Sequence, residues 1–127
     1  TPDLTQRIAH ACVLAVRIRN SLPLTTVGIN LGDWRVILDR RQQPLRLEAD
    51  WQMEWQKKAV PMAARTAFRY SMLPTKMSLA PGDWMQGFIT ANLNQGQKFD
   101  LIVHWTEDGN PKQAQLSDVM CAAKTSS

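Results

Sequence analysis

Residues 45–56 alternate apolar and polar side chains almost without error. Leu45, Leu47, Ala49, Trp51, Met53 and Trp55 fall on one side, and Arg46, Glu48, Asp50, Gln52, Glu54 and Gln56 on the other. A strand sends successive side chains to opposite faces, so this period of two predicts a half-buried β-strand. An amphipathic helix would instead repeat its apolar positions every three and four residues. On this reading Trp51 and Trp55 share the dry face, about 13 Å apart at the usual strand rise. Arg46, Glu48 and Asp50 share the wet one.

The rest of the chain carries shorter segments of the same kind. Cys12, Leu14, Val16 and Ile18 alternate with Val13, Ala15, Arg17 and Arg19, and Asn20-Ser21-Leu22-Pro23 breaks the run. A second β-branched run covers 25–31, with a bulge or tight turn at Gly32-Asp33 and a continuation through Trp34, Val36 and Leu38. The polar stretch 39–44 predicts a loop, making 26–39 and 45–56 an antiparallel hairpin. A connection follows over 57–64, then a strand over 66–73 with Phe68, Tyr70 and Met72 on one side. Ala80-Pro81-Gly82-Asp83 reads as a tight turn, because Pro suits its first central position and Gly its second. Strands follow over 84–93 and 98–106. Glu107-Asp108-Gly109-Asn110 predicts a hairpin, since Asp-Gly accepts positive φ. A return strand begins at Pro111. Residues 1–11 form an N-terminal arm or a short helix with Pro2 in its first turn, and 122–127 a flexible tail.

Seven to eight short strands, at most one short helix and regular turn signals predict a single all-β domain over 1–127. The expected architecture is an antiparallel β-sandwich of immunoglobulin-like character. The idiom Met77-x-Leu79-x-Pro81-Gly82-x4-Gly87-Phe88-Ile89, followed by Phe99-Asp100-Leu101-x-Val103-x-Trp105, resembles the later strands of bacterial immunoglobulin-like domains. It covers about a quarter of the chain, and a fold-level likeness carries no function.

Two cysteines in 127 residues allow one intramolecular bridge. Joining Cys12 to Cys121 would tie the two ends of the chain together, a device of oxidising compartments, and predicts a periplasmic or secreted protein. The alternative is two small buried hydrophobes that never meet. The chain opens at Thr1-Pro2-Asp3 without methionine. It reads as a mature or trimmed form, with an upstream leader or lipid anchor compatible with that location. No apolar run reaches the length of a membrane-spanning helix.

The formal net charge is +4, and its placement is uneven. Before residue 80 there are twelve Lys and Arg against six acids; after it there are three against five. No basic run or nucleic-acid motif accompanies that excess, so no nucleic-acid partner is expected.

Candidate chemistry is sparse. There is no nucleophile elbow, phosphate loop, metalloprotease helix or EF-hand. His10, Cys12, His104 and Cys121 lack the paired spacing of a zinc site, so neither metal nor cofactor is expected. His104 is placed on the face opposite Phe99, Leu101 and Trp105, towards solvent. Glu48 and Asp50 are neighbours on the wet face of 45–56, where paired carboxylates more often form a solvated surface than an acid–base pair. Trp51 and Trp55 are assigned to the space between sheets. Trp34 and Trp84, each after a Gly-Asp pair, are expected to be partly exposed.

These features predict a non-catalytic module that binds another protein in a bacterial cell-envelope, secretion or surface assembly. Trp34, Trp84, Arg46, Glu48 and Asp50 are its candidate binding residues. Two alternatives share the composition: a small inhibitor or immunity protein inserting the loop 57–64 or 107–111 into an enzyme, and a glycan-binding module using exposed tryptophan.

Overall fold

The computed structural model describes residues 12–94 and 96–121; the arm and tail expected at 1–11 and 122–127, and His10, lie outside them. The described chain is mostly antiparallel β-sheet. Its strands are β1 (Cys12–Arg19), β2 (Val27–Asn30), β3 (Arg35–Leu38), β4 (Arg41–Pro44), β5 (Lys76–Leu79), β6 (Trp84–Ala91), β7 (Lys98–Glu107) and β8 (Asn110–Met120). Two helices, α1 (Glu48–Lys58) and α2 (Met62–Ser71), lie between β4 and β5.

β1 and β6 form a two-stranded sheet, in register from Cys12 opposite Ala91 to Arg19 opposite Trp84. The other six strands form the second sheet, built around β7. β3 pairs with β7 at residues 100–102 and β2 pairs with it at 106–107. β8 pairs along nearly the whole of β7 on the other edge. β2 and β3 are therefore one interrupted strand lying along β7. The 3-10 turn Leu31–Asp33 makes the interruption, where the Gly-Asp pair predicted a bulge or tight turn. Asn30 caps that turn by accepting a hydrogen bond from the Gly32 N–H at 2.9 Å. β3 and β4 form a tight hairpin whose two turn residues, Asp39 and Arg40, both have positive φ. The turns at 80–83 and 108–109 form where predicted, the second with Asp108 and Gly109 both at positive φ.

The two sheets share one core. β1 and β6 contribute Cys12, Ile89 and Ala91, and the larger sheet contributes Val27, Ile29, Val36, Phe99 and Leu101. Asn20, 2% exposed, joins the sheets at one end. Its side-chain amide donates to the carbonyls of Thr25 (2.7 Å) and Leu79 (3.0 Å), and its oxygen accepts from the Leu22 N–H (3.0 Å). At the other end the Cys12–Cys121 disulfide forms as predicted, across 109 residues of sequence.

The segment 45–56 is not a strand. Only Arg46 bridges to β6, at Thr90, and α1 begins at Glu48. The hairpin of 26–39 with 45–56 is accordingly replaced by the β3–β4 hairpin, and the limit of one short helix by two helices of 11 and 10 residues. A spacing of four satisfies both a strand and a helix. Leu47, Trp51 and Trp55 therefore stay on one face in either conformation, while Met53 turns outward and is 63% exposed. Backbone preference then decides. No residue from Glu48 to Lys58 is β-branched, and Glu, Gln, Lys, Ala and Met are good helix formers. Glu48 and Asp50 in the first turn and Lys57 and Lys58 in the last suit the helix dipole. Asp50 also accepts a hydrogen bond from the Leu47 N–H at 2.9 Å.

The strand expected over 66–73 is likewise helical. Phe68 turns inward from α2, while Tyr70, placed beside it by the strand reading, is 86% exposed. Trp51 and Trp55 thus do not fill the space between sheets. They form a second cluster with Val60 and Phe68, and both indoles meet the Phe68 ring edge-on, at 5.2 and 5.4 Å between centroids. Trp51 is anchored to β6 by its indole N–H, which donates to the Thr90 hydroxyl at 2.9 Å; that hydroxyl donates to the Arg46 carbonyl at 2.7 Å. The indole N–H of Trp55 is buried with no partner among the described residues. The chain leaving α2 runs against β6 at Gly87, where a Cβ would come within 2.9 Å of the Leu73 nitrogen.

Because the disulfide closes a loop of 109 residues, the chain-entropy model assigns it about 4–5 kcal/mol of stability. Replacing both cysteines by alanine should lower the unfolding free energy by about that amount, read from the urea midpoint at unchanged slope. A loss below about 1 kcal/mol would show that the bridge does not constrain the unfolded chain.

Candidate interaction groove

β1 is paired on one edge only, to β6, and its other edge has no strand partner among the described residues. That edge borders a cleft of about 500 Å³. Val16 and Ile18 of β1 form one wall. Leu101, Val103 and Trp105 of β7, with Leu116 of β8, form the other, and Val27, Ile29 and Trp34 also line it. The lining is mostly apolar, with Arg17, Arg19 and Glu107 among its charged residues. The alternation that packs β1 and β7 on the core thus also supplies the groove, because their inward side chains are left partly uncovered here.

Trp34, expected to be partly exposed, is 5% exposed. The 3-10 turn before it folds the indole inward, where its N–H donates to the His104 carbonyl at 2.9 Å. Trp34 therefore contributes to the groove as a buried lining residue. Trp84 is 50% exposed, on the strand paired with β1, with the Arg17 guanidinium 4.9 Å from its ring centroid. Arg17 lines the groove as well, so it connects the two places.

Arg46, Glu48 and Asp50 do not share a surface in the way a strand would give them. The Arg46 guanidinium lies over the Trp51 ring, 4.0 Å from its centroid, and pairs with Glu54. Glu48 faces Arg69 of α2 at 3.7 Å, and Asp50 caps its own helix. Each of these charges has a structural task around the helices. Glu48 and Asp50, two apart in a helix, do not lie side by side as an acid–base pair would. Trp51, Trp55 and Trp34 are all buried, so they offer no aromatic platform to a sugar.

The groove residues Val16, Ile18, Val103, Trp105 and Leu116 were not singled out by sequence. Their alternation marks them as inward-facing, and nothing local distinguishes an inward position that is covered from one that is not. Comparison with protein-family models, with curated proteins and with solved structures finds no match.

Trp34→Phe keeps an aromatic ring but removes the pyrrole half of the buried indole and, with it, the donor to the His104 carbonyl. It should cost at least about 1 kcal/mol, from the lost hydrogen bond to a part-buried carbonyl together with the lost ring packing, measured by urea denaturation. A change within about 0.5 kcal/mol would mean that water or another group replaces the indole N–H.

Proposed function

We propose that this protein is a non-catalytic interaction module that takes an extended, apolar segment of another protein along the free edge of β1. The observation that carries this reading is the coincidence of a strand edge unpaired among the described residues with an apolar cleft beside it. Main-chain hydrogen bonds to an edge strand provide affinity, and pockets for alternate side chains provide selectivity. A segment matching β1 would present an apolar side chain at every second residue, towards Val16, Ile18 and Val103.

The other long edge, β8, is less suited to that role. It carries Pro111 and Lys112 just after its first residue and is bulged near Asp118, where pairing with β7 shifts between Phe99 and Leu101. Proline, lysine and bulges are the features by which natural edges resist pairing. This contrast favours β1 as the receptive edge.

Within this reading the two sheets form an immunoglobulin-like sandwich elaborated by a helical pair between β4 and β5. The module belongs to a bacterial cell-envelope, secretion or surface assembly and is periplasmic or secreted. The Cys12–Cys121 bridge supports that location, because such bonds persist in oxidising compartments. The described residues contain no helix long and apolar enough to cross a membrane.

Selection from a displayed library of 12-residue peptides tests the binding mode. Enriched peptides should alternate apolar and polar residues, and N-methylation of their edge-facing amides should abolish binding. Leu116→Lys, at a half-exposed groove position, should weaken them at least tenfold while leaving the circular dichroism unchanged. Failure to enrich such peptides, or equal binding by the variant, overturns the groove. The location is tested separately by alkylating thiols in intact producing cells: neither cysteine should react before reduction, and two reactive thiols would refute an oxidising compartment.

A further inference from the structure

The outer side of the larger sheet holds a second cleft, of about 630 Å³, with a different chemistry. It lies where β2 and β3 part company along β7. Between Ile102 and Thr106, residues 103–105 of β7 have no strand partner on that edge among the described residues. Gly28, His104 and Thr106 line the gap. Gly28 keeps it open: a Cβ there would stand 2.6 Å from the Thr106 hydroxyl oxygen. His104, expected to face solvent, lines this cleft and is only partly exposed.

Three cations from three different strands line the same cleft: Arg35 of β3, Lys76 of β5 and Lys112 of β8. Asp33 is the one acid among its lining residues. Arg35 is held in place by one guanidinium nitrogen, which donates to the carbonyls of Gly32 (2.7 Å) and Trp34 (2.8 Å). Its other two nitrogens have no hydrogen bond among the described residues, and neither lysine has an ion-pair partner there. A fixed guanidinium with free N–H groups, flanked by two lysines, suits an oxyanion, because its fork matches paired oxygens.

The geometry points to a binding site for a small polyanion carrying two or more phosphate or sulfate groups. The cleft has the volume of small-ligand sites, roughly 300–1,000 Å³. Its cations come from separate strands, so a ligand with a single charged group would leave part of the site unneutralised. Ile29 and Trp105 line both this cleft and the apolar groove, so the two adjoin, but Arg35, Lys76 and Lys112 line only this one.

Calorimetry and amide-shift titration at low salt, with inorganic tripolyphosphate and with a sulfated disaccharide as separate probes, test the inference. At least one probe should bind saturably and shift the amides of Gly28, His104 and Thr106. The probe that binds more tightly identifies the group. Lys76→Glu with Lys112→Glu should weaken binding at least tenfold. Lys57→Glu with Lys58→Glu on α1, which changes the net charge equally, should weaken it less than threefold. The inference fails if neither probe saturates, if the shifts fall elsewhere, or if the two double variants lose affinity equally. Circular dichroism of each variant excludes unfolding as the cause.

Discussion

One hydrogen bond closes the point at which the larger sheet is interrupted. The chain that pairs with β7 leaves it after β2 and returns at β3, and three residues of β7 face no strand across the gap among the described residues. A backbone carbonyl taken partly out of water still needs a partner. The Trp34 indole meets that requirement at His104. The same side chain buries a large ring, 5% exposed, in the shared core. Leu31, one turn earlier, is buried with it. The interruption is therefore a packed feature with its polar group satisfied. Because the 3-10 turn draws Leu31 and Trp34 inward, the outer side of β7 is left uncovered near His104.

β1 is held at both ends and along one edge by β6, while its other edge has no strand partner among the described residues. Cys12 is bonded to Cys121 just beyond β8. Asn20 at the other end is held by its own backbone and side chain to Thr25, Leu79, Asp83 and Gly82. A strand fixed in this way cannot easily swing in to close the cleft beside it. Its unpaired edge is consequently preorganised, which reduces the ordering cost that binding an extended segment would otherwise carry.

Much of the β architecture was legible from local pattern. The segments around 12–19, 84–91 and 98–107 alternate cleanly and contain β-branched or aromatic residues, so pattern and backbone preference agree. At 45–56 they disagree. Leu47, Trp51 and Trp55 are four apart and fit either period, so alternation alone could not choose. The absence of β-branched residues, the acids at the start and the lysines at the end were the distinguishing signals. The same error moved Glu48 and Asp50 from a shared wet face to separate duties around α1. Trp34 was misplaced for a different reason. Gly32-Asp33 correctly marked a turn, but a turn does not specify whether the next side chain points in or out, and here a long-range acceptor on β7 decides it.

Neither cleft could be read from the chain, because each is made by strands that fail to meet. Yet the residues lining them follow the simplest rule in the sequence. Along β7, Leu101 and Val103 line the apolar groove, His104 and Thr106 line the basic cleft, and Trp105 borders both. Period-two alternation is usually taken to separate a buried face from a solvated one. Here the interruption between β2 and β3 uncovers the outer face, and the open edge of β1 uncovers the inner one. A single strand therefore borders two clefts of opposite chemistry, which meet at Ile29 and Trp105.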